Sequence, residues 1–581
     1  MKRVRLDKKD SFRILLTDTA PGDSPIIFSN DGLYINSHSH QLGHNSTDNK
    51  IFKLFHEKLF RAGPSQSSPY KYSVRKSNFS LRTLSLIHPR AQFNFAEFYA
   101  KHSDAIIYLC SLSKASIRSP YKVSNSYYRS NSDKSSKYKE VDIDTLENEL
   151  SRKHSSSYFS YRGHNRLYKL FDSNEYISLE KKFSSLWMLD VANCFDSIYT
   201  HTISWAIKNK EYVKSKTDYK NQFCDEFDRL MQRSNNNETN GIPIGSEVSR
   251  IFSEIIFQSI DCNIMKTISN TFGYKYDEDY IFRRYVDDYI VFSKSDEISS
   301  HVSKAISDGL ADYNLYINEG KLKTYERPFT TEKSDIIGQV KIKIGELEDK
   351  ILEKATNDGK RLVKPKKINR KDSVIKYFIS QIKHLCKVGS RDYSDISSYL
   401  ISTLSNRIIE LTETYEQITD ELEDEVKLRY RDAIITMTRL IFFFYTVSPQ
   451  VASSYKLAKI VIIIDKFFIL KCPEFSDHFR TLVMSEVGDI PLSSGSDGER
   501  SGFVSLEGLN VLLATSEFGL NYLVPEERLN VFFSDSARPS YFSLMSLLFY
   551  IKNYEKYSEI KITIENEILK KMEGYNKIPK K

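Results

Sequence analysis

An α+β region followed by a long all-helical region is the architecture this sequence predicts. Three observations carry it. Between residues 180 and 325, short apolar runs such as LWMLDVA alternate with helical patterns, and the segment around YVDDY has two apolar arms, as a β-hairpin does. From about residue 371 onward the apolar spacing is helical, as in VIKYFISQIKHLCKV (374–388). A chain of 581 residues is also long for a single core and suggests two to four domains.

Taken in order, residues 1–69 read as a lead-in in which IFKLFHEKLFRAG (51–63) has helical spacing and stops at Gly63 before Pro64. Residues 70–180 form a second region. It begins with the strand-like alternation of 70–92 and the helical pattern of 91–113, and then turns basic. Between Lys114 and Lys139 the chain carries Lys114, Arg118, Lys122, Arg129, Lys134, Lys137 and Lys139 against Asp133, interleaved with tyrosines and serines. This stretch reads either as a solvated loop or as an element that touches nucleic acid. Residues 181–345 hold the α+β pattern: a strand, a helix over SIYTHTISWAIKN, a helix after GIPIG and the YVDDY hairpin. Within them IIGQVKIKI (336–344) alternates as strands would. Residues 346–581 read as helices interrupted by Pro449, Pro473, Pro491 and SSGSDGERSG (493–502), without the fixed-period repeat of a regular solenoid.

Composition narrows the class. With 40% hydrophobic and 13% aromatic residues the chain is globular, and 84 basic against 76 acidic residues leave a net charge of +8, compatible with nucleic acid. The six cysteines show no metal-ligand spacing and no signal peptide is evident, so a reducing cytoplasm is the expected compartment. The most apolar segment, IITMTRLIFFFYTV (434–447), is short and contains Arg439, which predicts a buried helix and no membrane partner.

The chemistry lies in RRYVDDYIVFSKS (283–295). Asp287 and Asp288 stand inside an apolar run, where carboxylates are costly unless they are solvated in a turn, paired or bound to a cation. In WMLDVANCFDSIYTHTI (187–203), Asp190 ends an apolar strand. A hairpin beside that strand would bring Asp190 together with Asp287 and Asp288, and such a cluster of hard oxygen ligands suits Mg²⁺ or Mn²⁺.

These two stretches, with NGIPIGSEVSRIFSEI (240–255) between them, resemble the ordered palm motifs of reverse transcriptases. The resemblance implies a fingers–palm domain followed by a helical C-terminal domain, and DNA synthesis with two Mg²⁺ ions, or Mn²⁺, at Asp190, Asp287 and Asp288 and the Val191 carbonyl as a further ligand. It implies deoxynucleoside triphosphates as substrates and DNA as product. Phe195 matches the family's steric gate, while also reading as a core Phe. Gly245 and Tyr285 fall in the nucleotide-binding motifs. Lys321, in LYINEGK (315–321), matches a lysine that approaches the triphosphate, and Lys76, Arg82 and Arg90 in RKSNFSLRTLSLIHPR (75–90) resemble fingers residues. His201 and the His38-Ser39-His40 run read as a packing residue and a loop.

The finer pattern NCFDSIYTHTISW, GIPIG-xx-SRI-x-SE and RYVDDYI is similar to bacterial abortive-infection reverse transcriptases of the AbiK type, nearest to the second reverse transcriptase of the type 3 defence-associated system. That group implies antiphage defence, homo-oligomers, a companion reverse transcriptase with a noncoding RNA, and synthesis that needs no template and starts on a protein hydroxyl. Ile244 stands where most reverse transcriptases have a Gln that shapes the pocket for the nascent base pair, and Ser249-Arg250 where they have Ser-Pro. The loss of that Gln points away from ordinary template-directed copying. The competing readings are an RNA-templated enzyme that copies a dedicated noncoding RNA, with the basic stretch holding the RNA, and a catalytically silent nucleic-acid-binding scaffold.

Overall fold

The computed structural model describes residues 2–17, 23–30, 32–34, 36–37, 53–54, 57–58, 66–77, 80–129, 157–164, 167–215, 222–330, 332–357, 360–388, 391–417, 423–490, 503–530, 540–551 and 554–576. Most of the expected helix at 51–63, and all of His38-Ser39-His40, lie outside them.

The chain begins with β1 (Lys2–Arg5); β2 (Tyr70–Ser77) and β3 (Ser80–Leu86) lie where strands are expected and pair as a hairpin. Helix α1 (Pro89–Leu109) follows; Pro89 occupies its first turn, and the His88 side chain accepts the N–H of Arg90 at 3.1 Å. The basic stretch is not simply a loop. β4 (Arg118–Val123) and β5 (Ser126–Arg129) are strands within it, β4 pairing with β6 (Phe159–Gly163) and β5 with β1. Its tyrosines and Val123 have strand propensity, and partner strands supply the ladder that a solvated loop would lack. Residues 130–139 lie outside the described residues.

The central sheet is antiparallel. β7 (Ser185–Asp190), β8 (Tyr280–Tyr285), β9 (Asp288–Ser293) and β10 (Lys323–Glu326) lie in the order β10-β7-β9-β8. Both faces are covered, which explains the nearly continuous apolar runs in β7 and β9. Leu189, Tyr289 and Val291 face the core built around α2 (Glu247–Phe272) and α3 (Asp296–Ala311), while Leu186, Ile290 and Phe292 face Tyr176, Phe183 and Phe329. Helix α2 starts where Ser246 accepts the N–H of Ser249 and stops at Gly273, whose φ of 71° is the left-handed conformation that glycine allows.

The segment 336–344 is helical, contrary to the expected strands, and belongs to α4 (Glu332–Ile351). Ile336, Val340, Ile344, Leu347 and Ile351 make one buried stripe at helical spacing, and that longer pattern overrides the local alternation of VKIKI. A hairpin of β11 (Leu352–Asn357) and β12 (Lys360–Pro365) then interrupts an otherwise helical region. Helices α5 (Lys371–Val388), α6 (Ser397–Gln417), α7 (Asp424–Val447), α8 (Val451–Lys471) and α9 (Ser476–Asp489) share the core that α4 enters.

A further core couples the two ends of the chain. Helices α10 (Leu506–Ala514), α11 (Tyr541–Ile551) and α12 (Ser558–Asn576) pack Leu512, Leu547 and Ile564 against Tyr72, Val74 and Leu84 of the β2–β3 hairpin. The Val504 N–H donates to the Ser73 carbonyl at 2.9 Å, and the Phe542 ring meets Tyr70 and Tyr72 at centroid distances of 5.1 and 4.9 Å. Among the described residues no helix is long and apolar enough to cross a membrane.

Candidate active site

The sheet register assembles the aspartates. Asp190, the last residue of β7, lies directly opposite Asp288, the first of β9, so the two share one face of the sheet. Tyr285 also pairs with Asp288, which leaves Val286 and Asp287 as a two-residue turn. The acidic pair is thus divided: Asp287 sits in the turn and Asp288 begins a strand. Val286 has φ 59°, an uncommon conformation for a β-branched residue that costs about 1–3 kcal/mol and persists where surroundings enforce it.

The three carboxylates perturb one another. Burial pushes the Asp288 carboxyl up to about 7, with the charges of Asp287 and Asp190 adding to the rise. Burial likewise raises Asp287, opposed by its own backbone N–H and by the charges of Lys321 and Arg82. Lys321, at the end of the short turn Glu319–Lys321, places Nζ 2.6 Å from Asp190 Oδ2, and this bond holds its ammonium above the usual lysine range. Among the described residues no three His, Cys, Asp or Glu side chains already converge as a metal cage. The donor set nonetheless fits a hard divalent cation: three carboxylates of one site resist ionising together, and an ammonium already occupies the counter-cation's role.

The remaining predicted residues divide in two. Val191 is buried and bridges to Ile317 beside the aspartates. Phe195 is half-buried in the core under the sheet, and its carbonyl accepts the N–H of Ile242 at 2.9 Å, which ties it to the GIPIG segment. Gly245 has φ 121°, a conformation side chains rarely adopt, and its carbonyl accepts from Arg250 Nη2 at 3.2 Å. Arg250 also pairs with buried Glu247 at 3.2 Å, so the residue that departs from the family's Ser-Pro braces the turn before α2. Arg82 is exposed on β3 yet acts on Asp287. Lys76 is exposed at the irregularity of β2, and Arg90 lies in the first turn of α1. His201 is half-exposed; its ring meets Tyr199 edge-on at 4.9 Å, and it also pairs with Asp228 at 2.5 Å, a bond that raises its imidazole.

Ile244, the most conspicuous departure from the family, is half-buried against the core shared by the hairpin and α10–α12, and its carbonyl accepts the Ser85 N–H at 2.8 Å. Beside it, a cleft of about 110 Å³ is lined by Lys71, Thr83, Asp196, Asn235 and Asn240.

A polar network missed in the sequence underlies the turn. Arg284 is fully buried and pairs with Glu254 at 2.9 Å and Asp261 at 3.0 Å, both on α2. The Tyr289 hydroxyl donates to Asp261 at 2.9 Å. The signal was present as two acids seven residues apart, with Gln258 between them, on a helix whose other buried residues are mostly apolar.

The stretch that builds this arrangement matches a reverse transcriptase domain. Residues 122–343 match the family described as reverse transcriptase (RNA-dependent DNA polymerase), a span that contains all three aspartates. Among solved structures, the chain is similar to apo telomerase from Candida tropicalis at 13% identity, over 74% of this chain and 73% of that one, with a TM-score of 0.28. Telomerase from Candida albicans with a TWJ fragment of telomeric RNA gives 12% identity over 74% and 70%, with a TM-score of 0.29. No curated protein matches.

Proposed function

We propose that the chain is a metal-dependent DNA polymerase of the reverse transcriptase type, acting in antiphage defence through untemplated or protein-guided synthesis that starts on a protein hydroxyl. The observation that carries the polymerase reading is the register that sets Asp190 opposite Asp288 with Asp287 in the adjoining turn. Asp190, Asp287, Asp288 and the Val191 carbonyl would hold two Mg²⁺ or Mn²⁺ ions, which supply activation of a 3′-hydroxyl and stabilisation of the pyrophosphate leaving group. Lys321 and Arg82 are cations beside these carboxylates and are suited to the triphosphate. Phe195 would pack against the sugar, with Tyr285 and Gly245 shaping the nucleotide's surroundings. Lys76 has the weakest support.

Ile244 supports the untemplated reading. Its side chain lies against an apolar core and offers no amide to a base pair. The polar cleft beside it favours a second reading, in which an RNA template is copied, because Lys71, Thr83, Asn235 and Asn240 could contact a nucleotide. A silent scaffold gains nothing from a carboxyl held near 7 by burial and its acidic neighbours. The motif resemblance supports the defence role, homo-oligomers, and a companion reverse transcriptase with a noncoding RNA. The test is incorporation of labelled deoxynucleotides in Mg²⁺ by the intact chain and by Asp287→Ala. Loss of incorporation, on the order of the 10²- to 10³-fold seen when one key electrostatic group is removed, is expected of a folded variant; equal activity would refute the assignment.

A further inference from the structure

The catalytic turn is held from beneath by the side chain that immediately precedes Tyr285–Asp288. The peptide between Val286 and Asp287 is the central one of the β8–β9 turn. Val286 has φ 59° and Asp287 does not have positive φ, which is the type II′ form of a tight hairpin turn; the type I′ form differs from it by a flip of this peptide. Arg284 Nη1 donates to the Val286 carbonyl at 2.9 Å. At the other end of the same peptide is the Asp287 nitrogen, bonded to the Cα that bears the carboxylate. Fixing the carbonyl therefore fixes the peptide plane from which the Asp287 side chain departs.

The geometry points to Arg284, clamped by Glu254 and Asp261, as a positioning residue that sets the central peptide of the turn and so directs the Asp287 carboxylate toward a divalent cation shared with Asp190. The inference rests on the polymerase reading. Nε of Arg284 donates to both oxygens of Asp261 at 3.0 and 3.1 Å, its Nη atoms reach Glu254 at 2.9 and 3.2 Å, and Phe257 lies under the guanidinium with 5.0 Å to the ring centroid. Two carboxylates already suffice to neutralise a buried arginine. The additional bond to Val286 is what a purely structural ion cluster would not need. Lysine would keep the charge but not the planar fork that reaches both acids and the carbonyl together.

The test compares the full chain with Arg284→Lys, Glu254→Gln and Asp287→Ala by three measurements: Mn²⁺ binding by electron paramagnetic resonance, thermal unfolding, and deoxynucleotide incorporation. For Arg284→Lys, Mn²⁺ affinity and kcat should each fall about 10- to 100-fold, the loss typical when a group supporting a metal ligand is removed, with KM for the nucleotide unchanged and unfolding still cooperative. Glu254→Gln should change both in the same direction by less. Wild-type Mn²⁺ affinity and kcat in folded Arg284→Lys would overturn the proposal, as would wild-type values in Glu254→Gln if Arg284→Lys does not fold. A wild-type chain that binds Mn²⁺ without incorporating nucleotide would defeat the polymerase reading and leave the Mn²⁺ comparison to decide the role of Arg284. A wild-type chain that binds no Mn²⁺ would defeat both.

Discussion

The two hairpins that border the candidate centre are supported in opposite ways. The β8–β9 turn rests on charge: Arg284 and two acids of α2, with hydrogen bonds that fix one peptide plane. The β2–β3 hairpin rests on apolar contact: Tyr72, Val74 and Leu84 against three helices from the far end of the chain. Directional bonds suit a place where an angle must be set, and hydrophobic burial suits a surface that need only be held in position. Removing support from the first should therefore cost activity per folded molecule, whereas removing it from the second should cost folded molecules.

Phe542→Ala breaks the apolar support and should give the largest stability loss. Phe542 is fully buried among Tyr70, Tyr72 and Phe28, and its truncation should cost about 3–5 kcal/mol in denaturant unfolding. The comparison fails if kcat per folded molecule collapses as it does for Asp287→Ala. Asp288→Asn probes the charged side. Because the Asp288 carboxyl titrates near 7, above the ordinary carboxylate range, ionising it opposes folding. Without divalent cations the wild type should gain stability as pH falls from about 7 toward 4, while the variant should not. At pH 8 the variant should be the more stable by roughly 1–2 kcal/mol after solvent screening, and Mg²⁺ should narrow that gap. His201→Ala should have the smallest effect. The Asp228 bond raises the imidazole, so its stabilisation is full below the ordinary histidine value near 6.5 and is lost as pH climbs through the higher folded value. The exposed pair should contribute no more than about 0.5 kcal/mol, seen as a difference between wild type and variant at pH 5.5 that vanishes at high pH.

The same contrast explains what was legible in the sequence. The strand ending at Asp190, the YVDDY hairpin and helix α2 depend on neighbouring residues, so period and turn signals revealed them. The partners of Arg284 lie 30 and 23 residues away, and α10–α12 meet the hairpin across most of the chain, beyond the reach of local pattern. Ile244 could be read as a departure from the reverse transcriptase motif, but only packing shows what it faces. Residues 336–344 misled because a short alternation of Val, Lys and Ile was weighed without the longer helical stripe around it.

The most direct test of the account is to strip the purified full chain of nucleic acid with nuclease, supply Mg²⁺ and deoxynucleotides separately and together, and sequence any product. The account predicts long DNA made without added template, absent with Asp287→Ala. DNA that appears only when RNA is restored, and is complementary to that RNA, would contradict it.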